Sequence, residues 1–219
     1  MSKEIDDPLK ELSEITKPDS RQHFFNTTLD LNHEELTSIQ LHSGVPKEVR
    51  QLFETAKNIS LYSCYVYRFH QVSELITFTA LEMALRLKYE NEVSEKSKKK
   101  MTLSPLLQHA KERGWITNQG FPSFEVRLKQ YAEQKKNELR AMEHDFDSEP
   151  EMQWEEPTQE EISDAFNEFD LVDAIASNAH HVRNSLAHGS TTLHPGSVST
   201  LFLVHEVINQ LFQPHENSA

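Results

Sequence analysis

Residues 183–188, with the sequence Arg-Asn-Ser-Leu-Ala-His, carry the side chains of this chain that are best suited to chemistry. An arginine offers a planar, permanently charged fork that fits phosphate oxygens, and a histidine can gain or lose a proton near neutral pH. Arg183 is also the only lysine or arginine between residues 141 and 219, a segment with fifteen acidic residues. A lone cation there indicates a specific polar site rather than a general solvated face.

The spacing within this hexapeptide suggests how its side chains meet. Asn184 and His188 are four residues apart, so they share one face of a helix. Arg183 lies about 100° away around the helix from its neighbour Asn184, and it is five residues from His188, on a different flank. Within one chain the arginine and histidine converge only if the helix end distorts. Two chains packed side by side could instead line one cleft, which hints at a two-fold site.

Helices must position these residues, because helical periodicity dominates the sequence from Pro46 onward. With only five glycines and little two-residue alternation, the sequence predicts an all-α protein. A capping box at Thr158–Glu161 begins a helix that is predicted to run on through Arg183 and to stop at Gly189. The other predicted helices cover residues 47–59, 62–90, 102–113 and 123–144, and a last helix is capped by Ser197.

The domain organisation follows from the same pattern. Residues 1–45 are polar and contain Pro8 and Pro18, so they are predicted to form an extended or partly ordered N-terminal arm. Residues 46–213 are predicted to form one helical domain, interrupted by an acidic connection near residues 143–157. Residues 214–219 are a short tail.

The net charge of −13 is unevenly distributed, and this limits the nucleic-acid partners. Residues 1–85 have a net charge of −5, residues 86–140 of +6 and residues 141–219 of −14. Non-specific nucleic-acid affinity rests on cations that neutralise phosphates, so the bulk charge argues against it. The densest cationic stretch, Lys96, Lys98, Lys99 and Lys100, is either the footprint for RNA or a solvated loop.

The remaining composition predicts a cytoplasmic protein without membrane contact. Cys64 is the single cysteine, so it forms no internal disulfide and offers no metal cluster. No apolar run approaches the roughly 20 residues that span a bilayer, and the first residues lack the apolar core of a signal peptide.

Residues 183–188 match the Arg-Asn-x-x-x-His form of the Arg-x(4–6)-His signature of HEPN domains, and the chain resembles that superfamily. As in those domains, the signature lies late in an amphipathic helix, is followed by a glycine and precedes one final apolar helix. Residues 79–86, Thr-Ala-Leu-Glu-Met-Ala-Leu-Arg, also resemble the second core helix of many bacterial members. The resemblance covers roughly residues 47–213 and implies a HEPN-like helical bundle that dimerises side by side.

Many HEPN domains are metal-independent endoribonucleases, and the resemblance implies such an activity here. Arg183 and His188 would be catalytic, Asn184 would orient them or contact phosphate, and Glu82 would support the site. The substrate would be RNA, whose 2′-hydroxyl attacks the phosphate to give a 2′,3′-cyclic phosphate and a 5′-hydroxyl, without a cofactor. The protein would be a homodimeric toxin or antiviral effector, with an antitoxin or another protein as a further partner.

Simpler roles remain open for the same residues. Arg183 could form an ion pair with Asp170, Asp173 or a carboxylate of another segment, and His188 could cap the helix C-terminus. Glu82 could form a surface ion pair with the arginine four residues later. The acidic C-terminal part favours a non-catalytic alternative, a HEPN-fold module that binds nucleotides or other proteins.

A metal site is not favoured by the histidine spacing. His181 and His188 are two helical turns apart, about 10 Å along the axis, which is too far to bind one ion. On an apolar helix face, His205 is predicted to be a hydrogen-bonded core residue. His180 and His194 are the other candidate metal ligands of this segment.

Overall fold

The protein is built from α-helices throughout the part of the chain that the computed structural model describes. That part comprises residues 7–24, 28–93, 100–145, 148, 151–189 and 193–213. It contains no strand and eight α-helices, which confirms the predicted all-α class. The helices are α1 (Leu29–Ser38), α2 (Lys47–Tyr62), α3 (Phe69–Glu92), α4 (Leu103–Glu112), α5 (Phe124–Glu143), α6 (Gln159–Glu168), α7 (Leu171–Ala187) and α8 (Ser197–Leu211). Within the described ranges, no helix combines the length and apolarity that a bilayer crossing requires.

The chain divides into two compact units. The first unit comprises residues 1–100 and 180–219, and the second comprises residues 101–179. In the first unit, α3 packs against both α2 and α8, and α1 packs against α2. In the second unit, α5 packs against α6. Helix α7 begins in the second unit and ends in the first, so residues 183–188 belong to the first unit.

The core of the first unit is centred on one face of α3. Leu81 and Leu85 are fully buried there, with Ala80 and Ala84 between and beside them. The small alanines allow neighbouring helices to approach closely, and each leucine that leaves water stabilises the unit by about 1.5–3 kcal/mol. The buried side chains that α2 and α8 contribute are Val49, Phe53, Ala56, Leu201, Val204, Val207, Ile208 and Leu211.

The segment that the sequence predicts to be an extended or partly ordered arm contains one α-helix, α1. Helix α1 is capped by Thr28, whose hydroxyl accepts the Leu31 N–H at 3.2 Å. Leu36, Ile39 and Val45 are buried. The sequence of α1 is short and weakly amphipathic, so its stability comes from packing on α2, which periodicity does not reveal.

Helix α3 begins at Phe69, seven residues later than the predicted start at Tyr62. Helix α2 ends at that tyrosine because the Ser63 hydroxyl donates to the Ser60 carbonyl at 2.7 Å. Such a side-chain hydrogen bond competes with the continuing helix. The apolar spacing continues through Tyr65 and Val66, so periodicity does not indicate the turn between α2 and α3.

The capping box at the start of α6 is confirmed. The Thr158 hydroxyl accepts the Glu161 N–H at 3.2 Å, and the Glu161 carboxylate accepts the Thr158 N–H at 2.7 Å. The single long helix predicted from this point is wrong, however, because α6 ends at Glu168 and α7 begins at Leu171.

Side chains at the break start the new helix α7. The Asp170 carboxylate accepts the Asp173 N–H at 2.9 Å, and the side-chain oxygen of Asn118 accepts the Val172 N–H at 3.0 Å. These acceptors satisfy amides that a helix start leaves unpaired. The apolar spacing crosses the break unchanged, so periodicity does not indicate it; the capping aspartate Asp170 was the local signal, and the bond from Asn118 is a distant one.

Polar side chains form a buried row in the first unit. The Ser197 hydroxyl lies 2.7 Å from the Ser60 hydroxyl and 2.7 Å from the His70 ring. Ser197 is therefore an interior residue and not the predicted cap of α8, whose N-cap is Gly196. Burial, with a smaller contribution from the charge of His194, lowers the pKa of His70 to about 4.

A second buried group lies one turn further along α3. Glu74 is 1% exposed, and burial raises the pKa of its carboxyl. One of its oxygens accepts the Thr200 hydroxyl at 3.2 Å and lies 3.6 Å from the His194 ring. A Cβ at Gly196 would come within 2.6 Å of that ring and 2.8 Å of that carboxylate, so any larger residue there would displace one of these side chains.

We expect His70 to make the stability of the protein fall in mild acid. Between pH values of about 6.5 and 4, His70 is protonated in the unfolded state but stays neutral in the folded state. The free energy of unfolding therefore decreases as the pH falls through this window, by up to about 3 kcal/mol. Urea unfolding at a series of pH values measures the slope, and His70→Asn should flatten it.

The exposed His33 supplies a matched control, since His33→Asn should retain the wild-type slope. Glu74 is present in the wild type and in both variants. Its contribution to the pH dependence of stability has the opposite sign, and it cancels when the three slopes are compared. An unchanged slope in His70→Asn would contradict this assignment.

Candidate functional site

Helix α7 presents the Arg-Asn-Ser-Leu-Ala-His hexapeptide in its final turn. The buried residues of α7 end at Ala179, and most side chains beyond it are exposed. The helix ends at Ala187, and Gly189 then adopts a φ of +88°, a left-handed conformation that favours glycine. The predicted stop at this glycine is confirmed.

The Arg183 side chain is fixed from two directions. Its Nη2 lies 3.6 Å from a Glu82 oxygen, and its Nη1 donates to the Asn184 side chain at 3.3 Å. The side chain is 37% exposed, while its Nε is buried and has no hydrogen-bond partner among the described residues. The guanidinium is thus positioned by its neighbours and still has N–H groups to offer to an anion.

Glu82 lies between two arginines. One of its oxygens accepts Arg86 Nη2 at 2.7 Å, and the other faces Arg183. The predicted pairing of Glu82 with Arg86 is confirmed. We call these three residues the arginine–glutamate triplet. With two cations and one anion, the triplet has a formal charge of +1.

The predicted ion pairs of Arg183 with Asp170 and Asp173 are wrong. These two carboxylates instead contact Lys111 Nζ, at 3.2 and 2.7 Å. The alternative of a carboxylate from another segment is the one the structure bears out, and that carboxylate is Glu82.

Asn184 and His188 are both exposed at the end of α7. The His188 backbone N–H donates to the Asn184 carbonyl at 2.9 Å, which continues the helical pattern by one residue. The His188 ring forms no hydrogen bond or ion pair with any other residue in the described ranges. Within one chain, the structure therefore brings together the side chains of Arg183, Asn184 and Glu82. The His188 ring is hydrogen-bonded to none of these three side chains.

The predicted RNA-binding lysines can be located only in part. Lys100 is described and exposed. Lys96, Lys98 and Lys99 lie outside the described residues.

Much of the remaining basic segment is neutralised within the second unit. Besides Lys111, the cations involved contact carboxylates at 2.6–3.2 Å, in the pairs Lys129–Glu156, Lys135–Glu168, Lys136–Glu161 and Arg140–Glu155. These residues therefore do not form the open positive surface that the sequence suggests for residues 86–140.

The histidines of this region form no evident metal site. No group of three or more His, Cys, Asp or Glu residues in the described parts of the chain is arranged to bind an ion. The rings of His180 and His181 lie 3.8 Å apart between centroids. His205 hydrogen-bonds the Phe202 carbonyl, as predicted, although it is only half-buried and not a core residue, and burial lowers the pKa of its ring.

Two contacts of the first unit were not predicted from the sequence. Arg86 was paired with Glu82 by its spacing, but nothing in the pattern linked that pair to Arg183. The contact between Glu74 and His194 joins residues 120 positions apart. The polar residues inside the otherwise apolar pattern of α3 were the available signal for such buried contacts.

Comparison with known proteins gives no match for this chain among protein-family models, curated proteins or solved structures. The resemblance to HEPN domains therefore rests on the hexapeptide and on its helical setting.

We expect the contact between Arg183 and Glu82 to contribute little to stability. Half-exposed ion pairs are screened by water, so their coupling free energy is typically about 0.2–1 kcal/mol. Urea unfolding of Arg183→Ala, Glu82→Gln and the double variant measures this coupling. Leu81→Ala, which removes a fully buried neighbour in α3, should by contrast cost about 2–5 kcal/mol.

A loss above about 2 kcal/mol in Arg183→Ala would instead assign this arginine a structural role. The expected small loss would mean that the variant stays folded and can be used in functional tests.

Proposed function

We propose that this chain is a metal-independent endoribonuclease that acts as a homodimer. The observation that carries the proposal is the half-exposed Arg183, which is positioned by Glu82 and Asn184 on the turn that precedes the exposed His188. Phosphodiester cleavage needs a cation for the phosphate and a group that moves protons, and these side chains supply both.

The reaction uses a nucleophile that RNA itself contains. The ribose 2′-oxygen bonds to phosphorus as its proton is removed, the bond to the 5′-oxygen breaks, and that oxygen takes up a proton. The products are a 2′,3′-cyclic phosphate and a 5′-hydroxyl. His188 transfers the protons, Arg183 stabilises the charge that develops on the phosphate, and Asn184 orients the phosphate. DNA lacks the 2′-hydroxyl, so it is not a substrate.

Charge compensation in the second unit supports access by RNA. Carboxylates of residues 155–173 form ion pairs with lysines and an arginine, so they repel a phosphate chain less than their number suggests. Arg183 takes no part in those pairs, and the arginine–glutamate triplet leaves one positive charge for a phosphate.

A shared site explains why His188 has no ring partner within the described part of its own chain. In the proposed dimer, Arg183 of one chain meets His188 of the other, and two such sites form. An exposed apolar side chain next to Arg183 supports an interface there, since Val182 is 41% exposed on α7, and Phe202 on α8 is a further exposed apolar side chain, at 37%. A second copy that covers these side chains would remove them from water.

The cellular role follows from the activity. A nuclease whose substrate is present throughout the cytoplasm must be controlled. The proposal therefore includes a role as a toxin or antiviral effector, restrained by an antitoxin or by another protein partner.

We expect the purified protein to cleave labelled single-stranded RNA in excess EDTA. Arg183→Ala and His188→Ala should each lower the cleavage rate by at least about 100-fold, because each removes a group that acts in the transition state. The end groups of the products can be assigned by mass spectrometry. Asn178→Ala, a change at an exposed position of the same helix, is the matched control and should leave the rate unchanged.

Equal background cleavage by the wild type and both variants would overturn the nuclease proposal. The non-catalytic alternative would then be supported if the wild type bound a nucleotide or a protein without cleaving RNA.

We also expect complementation between two inactive variants. In a mixed dimer of Arg183→Ala and His188→Ala, one shared site loses both residues and the other retains both. Statistical mixing should therefore restore on the order of a quarter of the wild-type rate. Denaturing and refolding the two variants together, followed by the RNA assay, measures this recovery.

Each variant refolded alone is the control. No recovery, with light scattering showing that mixed dimers had formed, would mean that each site lies within one chain. A monomeric mass at micromolar concentration would exclude the shared site altogether.

A further inference from the structure

Arg86 is the cation that the three-dimensional structure adds to the site around Arg183. Helix α3 carries it one turn beyond Glu82, and its Nη2 donates to a Glu82 oxygen at 2.7 Å. Arg183 approaches the other oxygen of the same carboxylate, at 3.6 Å. Two guanidinium groups from different helices are therefore brought together by one acidic side chain.

The exposure of the triplet indicates which groups face the solvent. The Glu82 side chain is 17% exposed, whereas those of Arg86 and Arg183 are 40% and 37% exposed. Arg86 forms no hydrogen bond with any described residue other than Glu82. A guanidinium has five N–H donors, so most of the donors of Arg86 remain for a ligand.

The two guanidinium groups of the triplet suit a phosphodiester. Arg86 donates to one oxygen of the Glu82 carboxylate and Arg183 faces the other oxygen, so both cations lie beside the same pair of acceptors. The two non-bridging oxygens of a phosphate present a similar pair of acceptors, and arginine binds such oxygens through its planar fork. The charge also fits, because one phosphodiester neutralises the charge of +1 on the triplet.

We propose that Arg86 is a second phosphate-binding residue of the RNA site, which acts with Arg183 on the sugar–phosphate backbone, while Glu82 fixes the spacing of the two arginines. This inference rests on the proposed function, because it takes RNA as the ligand. It identifies the residue of the basic segment that reaches Arg183, whereas many other cations of that segment are paired with carboxylates.

The same helix offers a matched comparison. Lys88 carries the same charge two residues later and forms an i,i+4 ion pair with Glu92 at 2.8 Å. That pair has the spacing of Glu82 and Arg86 but has no contact with Arg183. A general effect of charge on α3 would therefore change with Lys88→Gln as much as with Arg86→Gln.

Binding can be tested separately from cleavage with a labelled single-stranded RNA that carries 2′-O-methyl groups at every position. Such an RNA retains its phosphates and lacks the nucleophile. Fluorescence anisotropy at several salt concentrations gives the Kd and its salt dependence. We expect Arg86→Gln to weaken binding roughly ten-fold at low salt and to reduce the salt slope by about 0.7, the value for one phosphate contact on a single strand.

The control and a second variant sharpen the result. Lys88→Gln should change the Kd less than about two-fold, since a charge that contacts no phosphate is screened by salt. Arg86→Lys keeps the charge and loses the fork, so it should keep the salt slope and weaken binding by about three-fold. It also provides the decisive comparison if circular dichroism shows that Arg86→Gln is unfolded. A salt slope that falls in the lysine variant would contradict the proposal.

A purely structural role for Arg86 would give a different pattern. If Arg86 acted only by orienting Glu82, adding Arg86→Gln to Glu82→Gln would have no further effect on the Kd or the salt slope. That result would overturn the inference, as would equal Kd values for Arg86→Gln and Lys88→Gln.

The cleavage assay separates this inference from the proposed function. A wild-type protein that binds the RNA through Arg86 but cleaves no RNA would overturn the nuclease and retain the inference. A wild-type protein that cleaves RNA without any effect of Arg86→Gln would retain the nuclease and overturn the inference. Absence of RNA binding by the wild type would overturn the inference.

Discussion

The close packing of α3 against α2 and α8 is the constraint on which the candidate site depends. Leu81 and Leu85 are fully buried in that contact, and the next residue after each is a member of the triplet, Glu82 or Arg86. Because successive residues of a helix differ by about 100° in direction, fixing the leucines in the core directs the two polar side chains towards its margin. The position of the charged groups is thus a consequence of how the first unit excludes water.

In the second unit, cations of the basic segment form ion pairs with carboxylates of the acidic C-terminal third. Lys111, Lys135 and Arg140 belong to the basic segment, and each contacts an acidic residue of the C-terminal third. Charges that look like two opposed blocks in the sequence are therefore interleaved in space, which limits long-range attraction and repulsion. Arg183 differs from these cations because its carboxylate comes from α3, in the first unit.

Local signals in the sequence predicted local features of the structure well. The all-α class, the capping box at Thr158 and the stop at Gly189 depend on neighbouring residues, and all three are confirmed. Helix α1 and the break before α7 were not predicted, and Glu82 was not identified as the carboxylate that faces Arg183. Each depends at least in part on a partner outside its own segment, such as the Asn118 side chain that accepts an amide 54 residues later. Periodicity reports which face of a helix is apolar, and it carries no information about which segment lies opposite.

The two contacts of Glu82 differ in kind. At 2.7 Å, the contact with Arg86 is a directional hydrogen bond, whereas 3.6 Å exceeds the length of one, so Arg183 is attracted by charge alone. Charge attraction varies slowly with angle, so the Arg183 side chain can change rotamer without breaking a bond to Glu82. Its buried, unpaired Nε–H also gains hydration when the side chain turns outward. An arriving anion can therefore reorient Arg183 at the cost of one hydrogen bond, from its Nη1 to Asn184, while Arg86 keeps its hydrogen bond to Glu82.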